Sequence, residues 1–260
     1  YIELVLGRWE IEKGLQSMKE YQTLDNVLMK IAECMLEYEM PRITFGDAKD
    51  LVKDYLEQRN LEIDTEQMFD RMTARCDILL IDDESRTLSF KHRSFAEFFY
   101  AKSLTKGKDP KLSERAFEFY WLNTIFFYLG IQKDCPELIK LITLLEPETE
   151  GGKWLKIVNM ANYLLAAYTT PYEKVSESIT QVMNEASRLF NNIASGKIQS
   201  PLSKLPHMSL LYLMQYLIRN SYSYSFFKQA LEDTALRIDY GNEEEKIKAY
   251  ALYFTNVAYI

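Results

Sequence analysis

Ile78-Leu79-Leu80-Ile81, then Asp82-Asp83-Glu84-Ser85-Arg86, then Thr87-Leu88-Ser89-Phe90 is the stretch on which the fold turns. Two β-favouring runs around a polar turn predict a hairpin. The chain continues as Lys91-His92-Arg93-Ser94-Phe95-Ala96-Glu97-Phe98-Phe99-Tyr100-Ala101, and a helix is expected from near Arg93, carrying Phe95, Phe98, Phe99 and Leu104.

Upstream of the hairpin the period is helical. Between Thr23 and Met40, the residues Leu24, Val27, Leu28, Ile31, Ala32, Met35 and Leu36 form one stripe, with Thr23 as the expected N-cap and Pro41 as the stop. A short extended piece, Arg42 to Phe45, precedes Gly46. Ala48, Leu51, Val52, Tyr55 and Leu56 mark a second helix. Asp64 opens a third at capping-box spacing from Gln67, with Met68, Phe69 and Met72 facing inward. Three helices, a hairpin and a closing helix are the order of a winged-helix domain, placed at residues 23–106 with Ile78 to Phe90 as the wing.

Residues 107–111, within Lys106-Gly107-Lys108-Asp109-Pro110-Lys111, read as a linker. Residues 112–260 read as all helical: roughly Leu112–Leu129, Pro136–Leu145, Lys153–Tyr168, Tyr172–Ser195, Met208–Asn220, Tyr224–Tyr240 and Glu243–Ile260. The expected breaks are Gly130, Pro147 with Gly151-Gly152, Pro171, Gly196 to Pro206, and Gly241. Short breaks between helices favour a bundle or an α-solenoid, and no fixed repeat is visible. The fold class is therefore mainly α: a winged-helix domain with one β-hairpin, then an all-helical bundle or α-solenoid-like region.

Composition excludes several functions. The 260 residues are 47% hydrophobic and carry a net charge of −7, which disfavours a general nucleic-acid binder. Cys34, Cys76 and Cys135 are odd in number and far apart, so no disulfide framework is expected. Two His and no paired Cys give no metal site. No stretch approaches the ~18 apolar residues needed to span a bilayer, and no signal peptide is visible; a cytoplasmic, membrane-free protein is expected. Both ends run through apolar-periodic segments, which reads as a piece of something longer.

The sequence holds no G-x-x-x-x-G-K-[ST], G-x-G-x-x-G, G-x-S-x-G or H-E-x-x-H motif. Acidic pairs such as Asp82-Asp83 and Glu146 with Glu148 read as solvated turn and loop charge. Glu243-Glu244-Glu245 suits the positive end of the last helix. No catalytic residue is assigned, and the fragment is read as not an enzyme.

At the strand-to-helix junction, Phe90 is expected to close the inner face of the hairpin. Phe95, Phe98 and Phe99 are expected to pack on the earlier helices. Ser94 and Glu97 have the spacing of a capping box. His92 is open to two readings: a packed or capping histidine, or a group at a helix N-terminus that reaches an anion held by a neighbouring domain.

The string resembles the F-x-H-x-S-F-x-E-F-(F/Y)-x-A signature that closes the winged-helix domain of NACHT-type STAND nucleotide switches, the signalling NTPases related to NOD-like receptors and bacterial anti-phage proteins. Phe90, His92, Ser94, Phe95, Glu97, Phe98 and Ala101 stand where the pattern wants them. The resemblance covers roughly Tyr1 to Leu104. It implies that His92 contacts the β-phosphate of ADP in the full-length parent, with Phe90, Phe95 and Phe98 packing the domain and Ser94 and Glu97 fixing the helix start. Residues 1–22, with Gly7-Arg8-Trp9, would then end a helical lid. The Walker A and B segments are missing, so ADP or ATP with Mg is expected only in the parent, on an NTPase core upstream in the same chain. A protein trigger on the helical tail, oligomerisation on activation and a role in defence against phage are further implications.

Two other readings compete. A stand-alone helical interaction module would use exposed aromatics such as Tyr216, Tyr222, Tyr224 and Tyr240. A winged-helix DNA regulator would insert the helix from Thr65 to Arg75 into a groove, but residues 23–106 hold twelve Lys and Arg against seventeen Asp and Glu. That balance would repel a phosphate backbone.

Overall fold

The computed structural model describes residues 15–75, 78–107 and 114–260. The chain divides into two compact units, 1–109 and 110–260. The proposed lid segment lies outside the described residues as far as 14, and so does most of the proposed linker.

The first unit opens with α1 (Leu15–Glu37). The helix runs through Thr23, which is therefore not its cap: at 2% exposure it is part of the buried face with Val27, Leu28, Ile31, Ala32, Met35 and Leu36. A capping residue is only as good as the break before it, and the helix carries eight residues upstream of Thr23. The helix ends before Pro41 through Glu39 at φ 54° and a bond from Met40 N to Met35 O of 2.8 Å.

Strand β1 (Ile43–Thr44) leads straight into α2 (Phe45–Gln58), whose N-cap Thr44 Oγ1 accepts from Asp47 N at 3.1 Å. Helix α3 (Thr65–Arg75) starts where its spacing predicts, with Asp64 Oδ1 accepting from Gln67 N at 2.8 Å; Met68, Phe69 and Met72 are buried. Strands β2 (Leu79–Asp82) and β3 (Thr87–Phe90) form the hairpin, and α4 (Arg93–Leu104) follows.

The sheet has three strands in the order β1-β3-β2, all antiparallel, with Ile43 opposite Leu88 and Leu79 opposite Phe90. Ile43, Leu79, Leu88 and Phe90 all point to the core. The turn is built by Asp82 Oδ1 accepting from Ser85 N at 3.1 Å and by Arg86 in the left-handed region. Arg42 Nη1 reaches the same Asp82 carboxylate at 3.0 Å and ties β1 to the turn. These contacts hold the Asp82 carboxyl below its ordinary value, the Ser85 hydrogen bonds first.

The second unit contains α5 (Leu122–Gln132), α6 (Pro136–Leu144), α7 (Glu150–Ala166), α8 (Tyr172–Ala194), α9 (His207–Tyr222), α10 (Lys228–Asp239) and α11 (Glu245–Tyr259). Short 3₁₀ turns at Pro201–Lys204 and Ser225–Phe227 precede α9 and α10. Helix α8 packs against α6, α7, α9, α10 and α11. One helix enclosed by five others is a bundle rather than an open array.

Several expected boundaries move. Glu114 to Phe117 and Phe119 to Trp121 are turns, not helix, and Tyr163 Oη donates to Ala116 O at 2.6 Å, satisfying that carbonyl from outside. Gly130 lies inside α5, which ends at Lys133 with φ 65°. Gly151 and Gly152 belong to the first turn of α7, capped by Thr149. The second glycine is required by space: a Cβ on Gly152 would lie 2.8 Å from Pro147 Cβ. Glu243 precedes α11 and pairs with Arg188 of α8.

Candidate functional site

The junction between β3 and α4 is built by three elements. Strand β3 delivers Phe90 to the core, where it stacks on Phe99 at 5.9 Å between centroids. Helix α4 lies along α1, with Phe99, Tyr100, Ala101 and Leu104 almost wholly buried. Two polar ties fix its direction: Tyr100 Oη donates to Glu37 Oε1 at 3.0 Å, and Lys102 Nζ to Asp25 Oδ1 at 2.7 Å.

His92 occupies the N-cap position of α4 in extended conformation (φ −132°, ψ 138°) with no side-chain capping bond. Its exposed ring lies 5.7 Å from that of Phe95. The imidazole stands at the positive end of a twelve-residue helix, between Lys91 and Arg93 in the chain. The ring makes no hydrogen bond to any described residue, so both nitrogens stay open to one.

The capping box does not form as the spacing implied. Ser94 is the second helical residue and is exposed, while Glu97 lies a turn further in. Glu97 is 2% exposed and accepts from Arg93 Nε at 2.8 Å, so it anchors the first turn through a cation instead. The aromatic face is also rotated from expectation. Phe99 is fully buried, whereas Phe95 and Phe98 are half-buried, with Phe98 edge-on to Phe99 at 5.6 Å. Ala96 and Tyr100 fill the face that Phe95 and Phe98 had been expected to cover.

A second polar centre lies in the helical unit, and sequence reading missed it. Lys156 of α7 is fully buried, with its ammonium 2.7 Å from Thr143 O, 2.8 Å from Leu145 O and 2.6 Å from Glu185 Oε1. Thr143 and Leu145 end α6, so Lys156 satisfies carbonyls that a helix C-terminus leaves without partners. Burial lowers its pKa, opposed by Glu185. With three acceptors for three protons, this centre is a structural tie and not a nucleophile. The only sequence signal was a lysine inside the apolar run Trp154-Leu155-Lys156-Ile157-Val158.

Beside it, a cleft of about 160 Å³ is lined by Glu146, Lys153, Ile157, Glu185, Arg188 and Asn192, among others. Arg188 and Glu185 are already engaged by Glu243 and Lys156. Burial raises the pKa of both Cys34 and Cys135, which keeps these thiols protonated and poorly nucleophilic. Among the described residues, no group of three His, Cys, Asp or Glu stands close enough to hold a metal ion. No described helix is long and apolar enough to cross a membrane.

Residues 162–260 match the family model described as NACHT C-terminal Helical domain 1. The match begins in the last turns of α7 and takes in α8 to α11, less than half of the chain. It supports reading this chain as part of a NACHT-type protein. No curated protein and no solved structure matches the chain.

Proposed function

We propose that this chain is the regulatory part of a NACHT-type signalling NTPase, with the first unit gating the nucleotide state and the helical unit sensing a trigger. The observation that carries the reading is a match to a NACHT C-terminal helical domain over residues 162–260, downstream of a unit that displays His92. The first unit supports a winged helix: three helices, then a hairpin whose second strand β3 is central and also pairs with the short β1.

The residues present fit an anion such as the β-phosphate of ADP held by an upstream core. His92 is exposed, carries no capping bond and stands on a helix N-terminus. A bound nucleotide would supply the charged phosphate that differs between the two states of the switch. This chain's residues supply the rest. The Phe90–Phe99 stack and the Arg93–Glu97 pair hold the first turn of α4, which sets where the imidazole points. A tail that moves when a trigger binds would withdraw that group and free the parent to exchange nucleotide and assemble. Defence against phage, in the cytoplasm, is the biology this reading favours.

The test is His92→Ala in the full-length parent. Faster ADP release and raised basal signalling are expected, with unchanged thermal stability, because an exposed side chain away from the core contributes within about 0.5 kcal/mol. Unaltered nucleotide content and silent signalling would reduce His92 to a neighbour of Phe95.

A further inference from the structure

Charge is distributed unevenly along the helical unit. From Ala186 to Leu231 there is no Asp or Glu, in a chain that has 38 of them, while Arg188, Lys197, Lys204, Arg219 and Lys228 fall within that span. The middle of this segment is α9 and the turn before it.

Helix α9 buries Leu210, Met214, Ile218 and Tyr222 and turns the opposite face outward. Met208, Tyr212 and Tyr216, at i, i+4 and i+8, are 52%, 59% and 64% exposed. Leu205, also exposed, extends the stripe beyond the helix start. Tyr253 of α11 runs beside it, its hydroxyl donating to Gln215 Oε1 at 2.6 Å. That bond fixes two of the flanking side chains before anything binds. Large apolar groups lined up in water mark an interaction surface more often than isolated ones do.

The stripe is bracketed by cations. Lys204 precedes the helix and Arg219 closes its last turn, and both are exposed with no acidic partner among the described residues. Of the other basic residues in the span, Arg188 pairs with Glu243 and Lys228 lies over the ring of Tyr259, while Lys197 stands in the turn after α8. Glu150 reaches the start of this segment through Ser200, but its carboxylate already accepts from Ser200 and Trp154.

We infer that this face of α9 is a docking surface for an acidic protein segment with apolar residues on one side, such as an amphipathic helix lying along it. Met208, Tyr212 and Tyr216 take the apolar side, while Lys204 and Arg219 pair with carboxylates near its two ends. Sixteen residues of helix run about 24 Å, enough for four turns of a partner helix. A partner carrying carboxylates is selected because the span from Ala186 to Leu231 holds no Asp or Glu, while exposed Lys204 and Arg219 pair with no carboxylate among the described residues. The inference goes beyond nucleotide gating and does not depend on it.

The test is titration of the full chain with a labelled helical peptide of Leu and Glu, of about the length of α9. A peptide with Lys in place of Glu, poly-dT and vesicles of phosphatidylglycerol with phosphatidylcholine serve as comparisons. Salt-sensitive binding of the Leu–Glu peptide alone is expected. It should weaken at least roughly tenfold in Tyr212→Ser with Tyr216→Ser, and in Lys204→Glu with Arg219→Glu. These side chains are exposed, so circular dichroism should be unchanged. Absent binding, or binding that neither double variant weakens, overturns the inference. Tighter binding of poly-dT or vesicles that both variants abolish overturns it in favour of nucleic acid or lipid.

Discussion

The two units are held together by different means. In the first, ties between elements are apolar or run from side chain to side chain: α1 on α4 with Tyr100–Glu37 and Lys102–Asp25, Phe90 on Phe99, Arg42 on Asp82, Lys49 on Glu66. In the second, buried side chains bond to backbone carbonyls of other elements: Lys156 to Thr143 and Leu145, Tyr163 to Ala116, Tyr222 to Ile157, and Ser187 to Ile247. Apolar faces permit some sliding and rotation, whereas a buried hydrogen bond to a carbonyl accepts one register. A unit proposed to shift against a nucleotide has the first kind of adhesive; a rigid platform for a partner has the second.

The largest test of this contrast is Lys156→Ala. Leaving two carbonyls and Glu185 without their cation should cost about 3–5 kcal/mol. Hydrogen exchange should speed up in α6, α7 and α8 and stay unchanged in α1 to α4. Lys156→Met combined with Glu185→Leu should recover only the part owed to the carboxylate, since Thr143 O and Leu145 O remain unpaired. Full recovery would show that the carbonyl contacts contribute nothing, and the contrast would fall.

A smaller effect is expected from Tyr222→Phe. The hydroxyl donates to Ile157 O at 2.9 Å in a fully buried site, where burial raises the phenol's pKa far above its ordinary value. Removing it should cost about 1 kcal/mol, read as a fall in melting temperature with no change in exchange at β2 and β3. The smallest effect belongs to the surface ties of the first unit. Asp82 has a depressed pKa in the folded state, so its contribution is present above the unfolded value near 3.8 and is lost as pH falls through the lower folded value. Asp82→Asn should flatten that acid limb, measured as amide exchange in the hairpin across this range, by lowering stability slightly at neutral pH and not at all below the folded-state value.

Much of this could be read from the sequence. The α1 stripe, the Asp64 cap, the hairpin from Leu79 to Phe90 and most helices of the second unit follow from hydrophobic period and turn chemistry, which act over a few residues. His92 at a helix start was legible for the same reason. The tyrosines show the limit of that reading. Tyr216, Tyr224 and Tyr240 are exposed, as a binding role would require, while Tyr222 is fully buried. All four sit in similar polar-aromatic surroundings, so only the packing of α9 separates them.

What the sequence determined by itself is therefore the set of elements, their order and the mainly helical class, because local propensity and capping select among a few backbone states. What only the tertiary structure decided involves residues far apart in the chain. Ile43-Thr44 became a third strand because β3 offered an edge forty-odd residues away. Ser94 lost the cap to His92 because the burial of Phe99 and Tyr100 set the phase of α4. Lys156 became a buried tie because α6 ends and α8 passes where its ammonium lies. Free energy in these cases comes from contacts whose partners are brought together only by folding, and no window of neighbouring residues contains them.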